Sequence, residues 1–215
     1  MTPSLLGVSG LGIRMGGHTL LDDISFELSA GQALALSGPS GSGKSVLLHA
    51  LAGVLPWATG SLALDGDAVV SHDPAYRARI GLILQSHGLA SGLTAEENLA
   101  LPLQARGLPR AEIVTRCAQA LADVDLEGAA GQLVEDLSGG QRQRVGVARA
   151  LALQPAIVLA DEPTAELDPA NRARILTLLV APPTPRLVVI ASNDPQVLDV
   201  CAEVLHLREG RLVSA

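Results

Sequence analysis

Three short stretches carry residue types that could do chemistry together. The first is GPSGSGKS, Gly38 to Ser45, which follows an apolar run and opens a helical one. It matches the phosphate-loop pattern in the strand-to-helix context that the pattern requires. Gly38, Gly41 and Gly43 allow backbone conformations that a Cβ forbids, so with Pro39, Ser40 and Ser42 between them the loop can turn its N–H groups inward on phosphate oxygens. Lys44 adds a full positive charge, and the Ser45 hydroxyl is placed to ligate Mg²⁺. The second stretch is IVLADEPT, Ile157 to Thr164, an apolar run that ends in two acids. Strand ends face the ligand crevice of open α/β sheets. Asp161 is therefore expected to hold the metal through a water, and Glu162 to act as general base on an attacking water. The third is LSGGQRQRV, Leu137 to Val145. Ser138 can cap a helix there, and Gly139 and Gly140 let a ligand approach its N-terminus, which is a second helix end suited to phosphate. Two such ends imply two ligands, or one ligand gripped from both sides.

These residues need a scaffold, and its pattern is readable. SLLGVSGLGI, DISFELS, ALALSG and GSLALDG are short β-like runs divided by Gly and Asp turn signals. Lys44 to Gly53 reads as an apolar helix. IGLILQ, Ile80 to Gln85, reads as a buried strand, as do AIVLAD and RLVVIAS. From Thr94 to about Asp123 the spacing is helical, with Thr94 and Glu97 forming a capping box. Ser138 to Leu153 is a further helix. IASNDPQVL, from Ile190, reads as a strand, a loop and a helix begun at Asp194-Pro195. VLHLREGRLV is a hairpin with Glu209-Gly210 at its turn. APPTPR, 181–186, is a proline-rich connector. The fold expected is an α/β P-loop NTPase core with an antiparallel β subdomain and an inserted helical subdomain. Residues 1–85 and 143–215 form the first two parts, and about 86–142 the third.

Bulk properties narrow the function. The 215 residues suit one domain with a subdomain, and a 48% apolar content supports a core built with only 1% aromatics. Net charge is −7 without a basic run, which argues against nucleic acid as a partner. No apolar stretch reaches the roughly 18 residues of a membrane span, and MTPSLLGVSG does not read as a signal peptide, so a cytoplasmic chain is expected. Cys117 and Cys201 form no CxxC pair and read as buried or half-buried thiols. His72 and His87 lie in polar loops without metal-ligand spacing.

Taken in order, GPSGSGKS, Gln85 after an apolar strand, LSGGQ, LADEPT and AELD (Ala165 to Asp168) make the chain resemble the ATP-binding subunits of ABC transporters over nearly its whole length. The resemblance implies ATP and Mg²⁺ as ligands and a head-to-tail pair of subunits. One subunit's phosphate loop and the partner's Ser138, Gly139, Gly140 and Gln141 would then enclose each ATP. It implies that Gln85 contacts metal and water, that SHGLASGLTAEENLALPL lies where a separate membrane subunit docks, and that the chain works at the cytoplasmic face of the inner membrane. LADEPT and LTAEENLALPL look most like lipoprotein-releasing and macrolide-exporting systems, which favours export.

Three positions depart from that family's pattern. Counting back from LLDDISFEL puts Met15 where an adenine-stacking aromatic is usual, giving a polarisable contact without a flat ring. Phe26, Trp57 and Tyr76 do not align there and read as packing residues. Ala165-Glu166 stands where Gly-Asn is common, and Glu166 is expected to face solvent, because an acid beside a triphosphate is unfavourable. Asn193 replaces the histidine that contacts the γ-phosphate. A shorter, uncharged donor there would cost roughly 2–4 kcal/mol of transition-state stabilisation. The leading expectation is a transport ATPase of reduced intrinsic rate. The alternative is a hydrolysis-impaired ATP-binding subunit that pairs with another ATPase. A soluble relative in translation or DNA repair fits less well, because such relatives carry duplicated cassettes or long coiled coils.

Overall fold

A computed structural model of the chain describes residues 5–181 and 185–213. Met1 to Ser4, and the middle of the 181–186 connector, lie outside the described residues. In chain order the strands are β1 (Leu5–Met15), β2 (His18–Ser29), β3 (Ala33–Ser37), β4 (Thr59–Leu64), β5 (Asp67–Ala68), β6 (Ile80–Ile83), β7 (Ile157–Asp161), β8 (Leu187–Ala191), β9 (Glu203–Arg208) and β10 (Arg211–Val213). The helices are α1 (Lys44–Leu51), α2 (Pro74–Arg77), α3 (Ala95–Ala105), α4 (Arg110–Asp123), α5 (Gly139–Ala152), α6 (Pro169–Val180) and α7 (Pro195–Val200).

One sheet has the order β10-β9-β3-β8-β7-β6. Its strands β9, β3, β8, β7 and β6 run parallel, and β10 closes the edge antiparallel. Every residue of β7 and β8 is buried, as a parallel sheet covered on both faces demands. Alternation by two sorts the side chains. Val158, Ala160, Val188 and Ile190 pack on the side of α3, α4, α5 and α6. Ile157, Leu159, Leu187 and Val189 pack against α1 and the second sheet. Each such Val, Leu or Ile contributes about 1.5–3 kcal/mol through burial. The second sheet, order β2-β1-β4-β5, is antiparallel. Phe26 and Tyr76 are core residues and Trp57 is half-buried. The Tyr76 hydroxyl donates to Leu51 O at 2.7 Å.

The helical stretch over 94–123 holds two helices, α3 and α4. Gly107, at φ 73°, ends the first in a left-handed turn, and Pro109 stands at the N-cap of the second, where its missing N–H costs nothing. The capping box of α3 forms as read, with Glu97 N donating to Thr94 Oγ1 and Thr94 N to Glu97 Oε2. The strand read over Ile80 to Gln85 ends at Ile83, leaving Gln85 in the following loop. The last hairpin turns at Glu209 and Gly210, with φ 49° and 77°. Both angles are positive, as a two-residue type I′ turn requires. No helix among the described residues is long and apolar enough to cross a membrane.

Candidate active site

Four neighbouring strand ends deliver the expected residues to one edge of the parallel sheet. β3 leads into Gly38, β8 into Ser192-Asn193, β7 ends at Asp161 with Glu162 next, and Gln85 follows β6. This is the carboxyl edge, where ligands of open α/β sheets bind. In the phosphate loop, Gly38, Gly41 and Gly43 have φ of 153°, 78° and 108°. A Cβ on Gly38 would strike Leu207 O, and one on Gly43 would strike Leu21. Lys44 Nζ donates to Gly38 O at 2.6 Å and to Pro39 O at 3.3 Å. The Ser42 hydroxyl is buried without a hydrogen-bond partner. A glycine cradle, an ammonium and a spare hydroxyl fit a phosphate group, and Ser45 and the buried Asp161 supply hard oxygens of the kind Mg²⁺ takes. Pro39, Ser40 and Gln85 are exposed around this edge. Met15 is 52% exposed at the tip of the β1–β2 hairpin, where it pairs with His18.

Glu162 is held in an uncommon conformation, φ 46°, that costs a non-glycine residue about 1–3 kcal/mol. Three hydrogen bonds fix it. Glu162 N donates to Ala191 O at 2.9 Å, Gln143 Nε2 donates to Glu162 O at 2.7 Å, and the Ser192 hydroxyl donates to Glu162 Oε2 at 2.8 Å. Asn193 is also engaged. Its Oδ1 accepts from Gly38 N at 2.9 Å and from the Ser37 hydroxyl at 3.1 Å, while Nδ2 donates to Gly38 O at 2.9 Å.

The LSGGQ segment caps α5 as expected. Gln141 N donates to Ser138 Oγ at 3.3 Å, and Ser138 N donates back to Gln141 Oε1 at 2.9 Å. The Gln141 side chain is thus part of a capping box. A cleft of about 340 Å³ lies here, lined among others by Ser138, Gly140, Gln141, Arg144 and Glu166.

Glu166 is exposed, as expected, and its carboxylate has partners as well. Its side chain is 46% exposed, yet Oε2 lies where a Cβ on Gly139 would sit, and Oε1 is 3.5 Å from His87 Nε2. The positive end of α5 and an imidazole accommodate the acid that a triphosphate would repel. Its backbone is tied down too, because Glu166 N donates to Gln143 Oε1 at 2.8 Å.

Three residues at the site escape sequence reasoning. Gln143, 3% exposed, spans Glu162 and Glu166 from inside α5. Its one signal is a polar side chain on the buried helical face it shares with Val147 and Ala150. Ser192 is fully buried and His87 sits at φ 63°; neither has a local signal.

A glycine-rich loop between a parallel strand and its helix, with an acidic pair one strand removed, defines a P-loop NTPase. The profile of the ABC transporter family matches residues 21–165, and the chain belongs to that family. It is 40% identical over 205 residues to the methionine import ATP-binding protein MetN of Caulobacter vibrioides, covering 92% of this chain and 62% of that one. It is 37% identical over 218 residues to the Fe(3+) ions import ATP-binding protein FbpC of Streptomyces coelicolor, covering 100% and 62%. The chain thus spans 62% of the length of these two curated relatives. Among solved structures, the ATP-binding cassette MJ0796, in a dimeric post-hydrolysis state bound to ADP and Pi, superposes with a TM-score of 0.89 at 29% identity over 97% of both chains. Neither relative is named for lipoprotein release or macrolide export, so the finer sub-family resemblance gains no support from them.

Proposed function

We propose that this chain is an ATP-binding and ATP-hydrolysing subunit of an ABC transporter, paired with a second ATPase subunit and coupled to a separate membrane subunit. The observation that carries this reading is the phosphate loop joined to Glu162 across β8, through the hydrogen bonds of Ser192 and Asn193. The loop N–H groups of Gly38 to Ser45 and the ammonium of Lys44 bind the triphosphate, Lys44 exchanging loop carbonyls for phosphate oxygens. Ser45, Gln85 and Asp161 would hold Mg²⁺, which when bound supplies charge neutralisation on the phosphoryl oxygens. Glu162 takes the proton of the attacking water. Met15 offers adenine a polarisable face. Ser138, Gly139, Gly140 and Gln141 present the α5 N-terminus to the partner's nucleotide, and Gln141 leaves its capping box to do so. Residues 86–142 are the helical subdomain that carries this helix end.

The dimeric cassette bound to ADP and Pi supports both the ligand and the pairing. The relatives' names speak for import, of methionine and of Fe(3+) ions, and we take import over the export direction favoured by LTAEENLALPL. The site of action is the cytoplasmic face of the membrane, reached through the membrane subunit. Turnover is slow, because Asn193 commits its acceptor and one donor to Gly38. That same observation favours the second reading, a nucleotide-binding subunit that relies on a better-equipped partner.

The test is equilibrium ATP binding and steady-state hydrolysis by the purified chain beside Glu162→Gln. Mg²⁺-dependent binding by both, with turnover lost about 100-fold or more in the variant, is expected. Absence of ATP binding by the wild type removes the reading. Binding with no more turnover than Glu162→Gln replaces it with the regulatory one.

A further inference from the structure

We propose that Ser192 and Asn193 form a two-sided positioning pair. Ser192 fixes Glu162, while Asn193 holds Gly38, the first residue of the phosphate loop, rather than reading the terminal phosphate. The proposal rests on the nucleotide reading above and deepens it.

The sheet order makes the pair possible. β8 lies between β3 and β7, so the residues that leave its end can reach both the loop after β3 and the acid after β7. Ser192 is fully buried and its hydroxyl has one hydrogen to give. Asp194 N donates to that oxygen at 3.1 Å, so the hydrogen is free to go to Glu162 Oε2 at 2.8 Å. Ser192 N donates to Leu36 O at 3.0 Å, which ties the same residue to β3.

Asn193 then adds one more rung to the sheet with its side chain. Its amide pairs with both the N–H and the C=O of Gly38, at 2.9 Å each, as a neighbouring strand residue would. The Ser37 hydroxyl takes the second lone pair of Oδ1, so the acceptor is fully used and one N–H is left over. Gly38 O has a second donor, Lys44 Nζ at 2.6 Å. When Lys44 turns to phosphate, Asn193 remains to satisfy that carbonyl and keep its negative end away from the anion. An imidazole cannot take this place. A neutral ring offers one donor and one acceptor on opposite edges, which cannot meet both the N–H and the C=O of one residue. The asparagine is therefore suited to a task that differs from direct contact with the γ-phosphate.

ADP separates the two roles, because it has no γ-phosphate. Equilibrium binding of fluorescent ADP and ATP, with kcat, is measured for the wild type, Asn193→Ala and Asn193→His. The positioning role predicts that both variants bind ADP and ATP about tenfold more weakly, since alanine loses both hydrogen bonds to Gly38 and histidine at least one. Ser192→Ala is expected to leave ADP binding unchanged and lower kcat about tenfold or more, with Ser192→Thr, which keeps the hydroxyl, restoring it. Thermal melts of each variant confirm that it is folded. Unchanged ADP affinity in both Asn193 variants, or faster turnover by Asn193→His at unchanged ADP affinity, overturns the assignment of Asn193. Full activity of folded Ser192→Ala overturns the other half. A wild type that binds neither nucleotide defeats the nucleotide reading itself, and this proposal with it.

Discussion

Adding one methyl at Gly139 tests how Glu166 is accommodated. The methyl of Gly139→Ala would occupy the place of Glu166 Oε2, so the carboxylate must swing away. Its departure forfeits the interaction with the α5 N-terminus, about 0.3–1 kcal/mol. It also forfeits the contact with His87 at 3.5 Å. With side chains 13% and 46% exposed, that pair is worth about 0.2–1 kcal/mol when the imidazole is charged. In return, alanine gains up to about 1 kcal/mol over glycine in a helix. The single variant should therefore lie between about 0.5 kcal/mol stabilised and about 2 kcal/mol destabilised. In a Glu166→Ala background there is nothing to displace, and the same methyl should stabilise by up to about 1 kcal/mol. The cycle predicts a coupling of about 1 kcal/mol, or a melting difference of about 2–4 °C for a chain of this size. Melts of the four proteins at pH 6 supply the numbers. Additivity to within about 0.5 kcal/mol would refute the placement of Glu166 over the helix end.

Two further outcomes follow from ionisable groups. Asp168 caps α6, accepting from Ala170 N and Asn171 N at 3.0 Å each and from Asn171 Nδ2 at 2.6 Å. The Asn171 N–H above all holds its carboxyl below the usual carboxylate range. A depressed folded value means that the stabilisation is present above the ordinary carboxylate pKa and is lost as pH falls through the lower folded one. Asp168→Asn should thus flatten the melting temperature's fall between roughly pH 5 and pH 2, and an unchanged profile would count against the cap's ionic part. Burial pushes the thiols of Cys117, with help from Glu96, and of Cys201 up to about 11. Thiol titration at neutral pH should find both slow in the native protein and both fast after unfolding; a rapid native thiol would contradict their placement.

The chemistry was legible where it is local. A glycine loop written between an apolar strand and an apolar helix needs no distant partner to declare itself, and IVLADE ends in its two acids whichever strands flank it. The runs of β7 and β8 announce burial on both faces. Their neighbours are another matter, because nothing in RLVVIAS says that it lies between β3 and β7. Hence Glu162, Asn193 and Gly38 could be listed as site positions without foreseeing the hydrogen bond from Ser192 to Glu162, 30 residues apart, or those between Asn193 and Gly38, 155 apart. Charge alone points Glu166 outward, and it is exposed; its contacts with the α5 end and His87 depend on neighbours that the local sequence does not name. Gln143 was hidden because a glutamine on an apolar helix face looks like a lapse in the pattern. The break at Gly107–Pro109 is written in residue types, and helical spacing simply runs across it.

The closing hairpin bears on how the protein is made. Leu207 O crowds Gly38, Gly210 N donates to Ser42 O at 3.0 Å, and Asp22 N donates to Gly210 O at 2.8 Å. The loop is braced by residues that leave the ribosome long after it does. A nascent chain stopped before β9 holds all eight residues of Gly38 to Ser45 without the backbone that shapes them. Loop closure over so long a span is slow and comes late in folding. Competence to hold nucleotide is thus tied to completion of the domain, and a shortened translation product has a phosphate loop in sequence only.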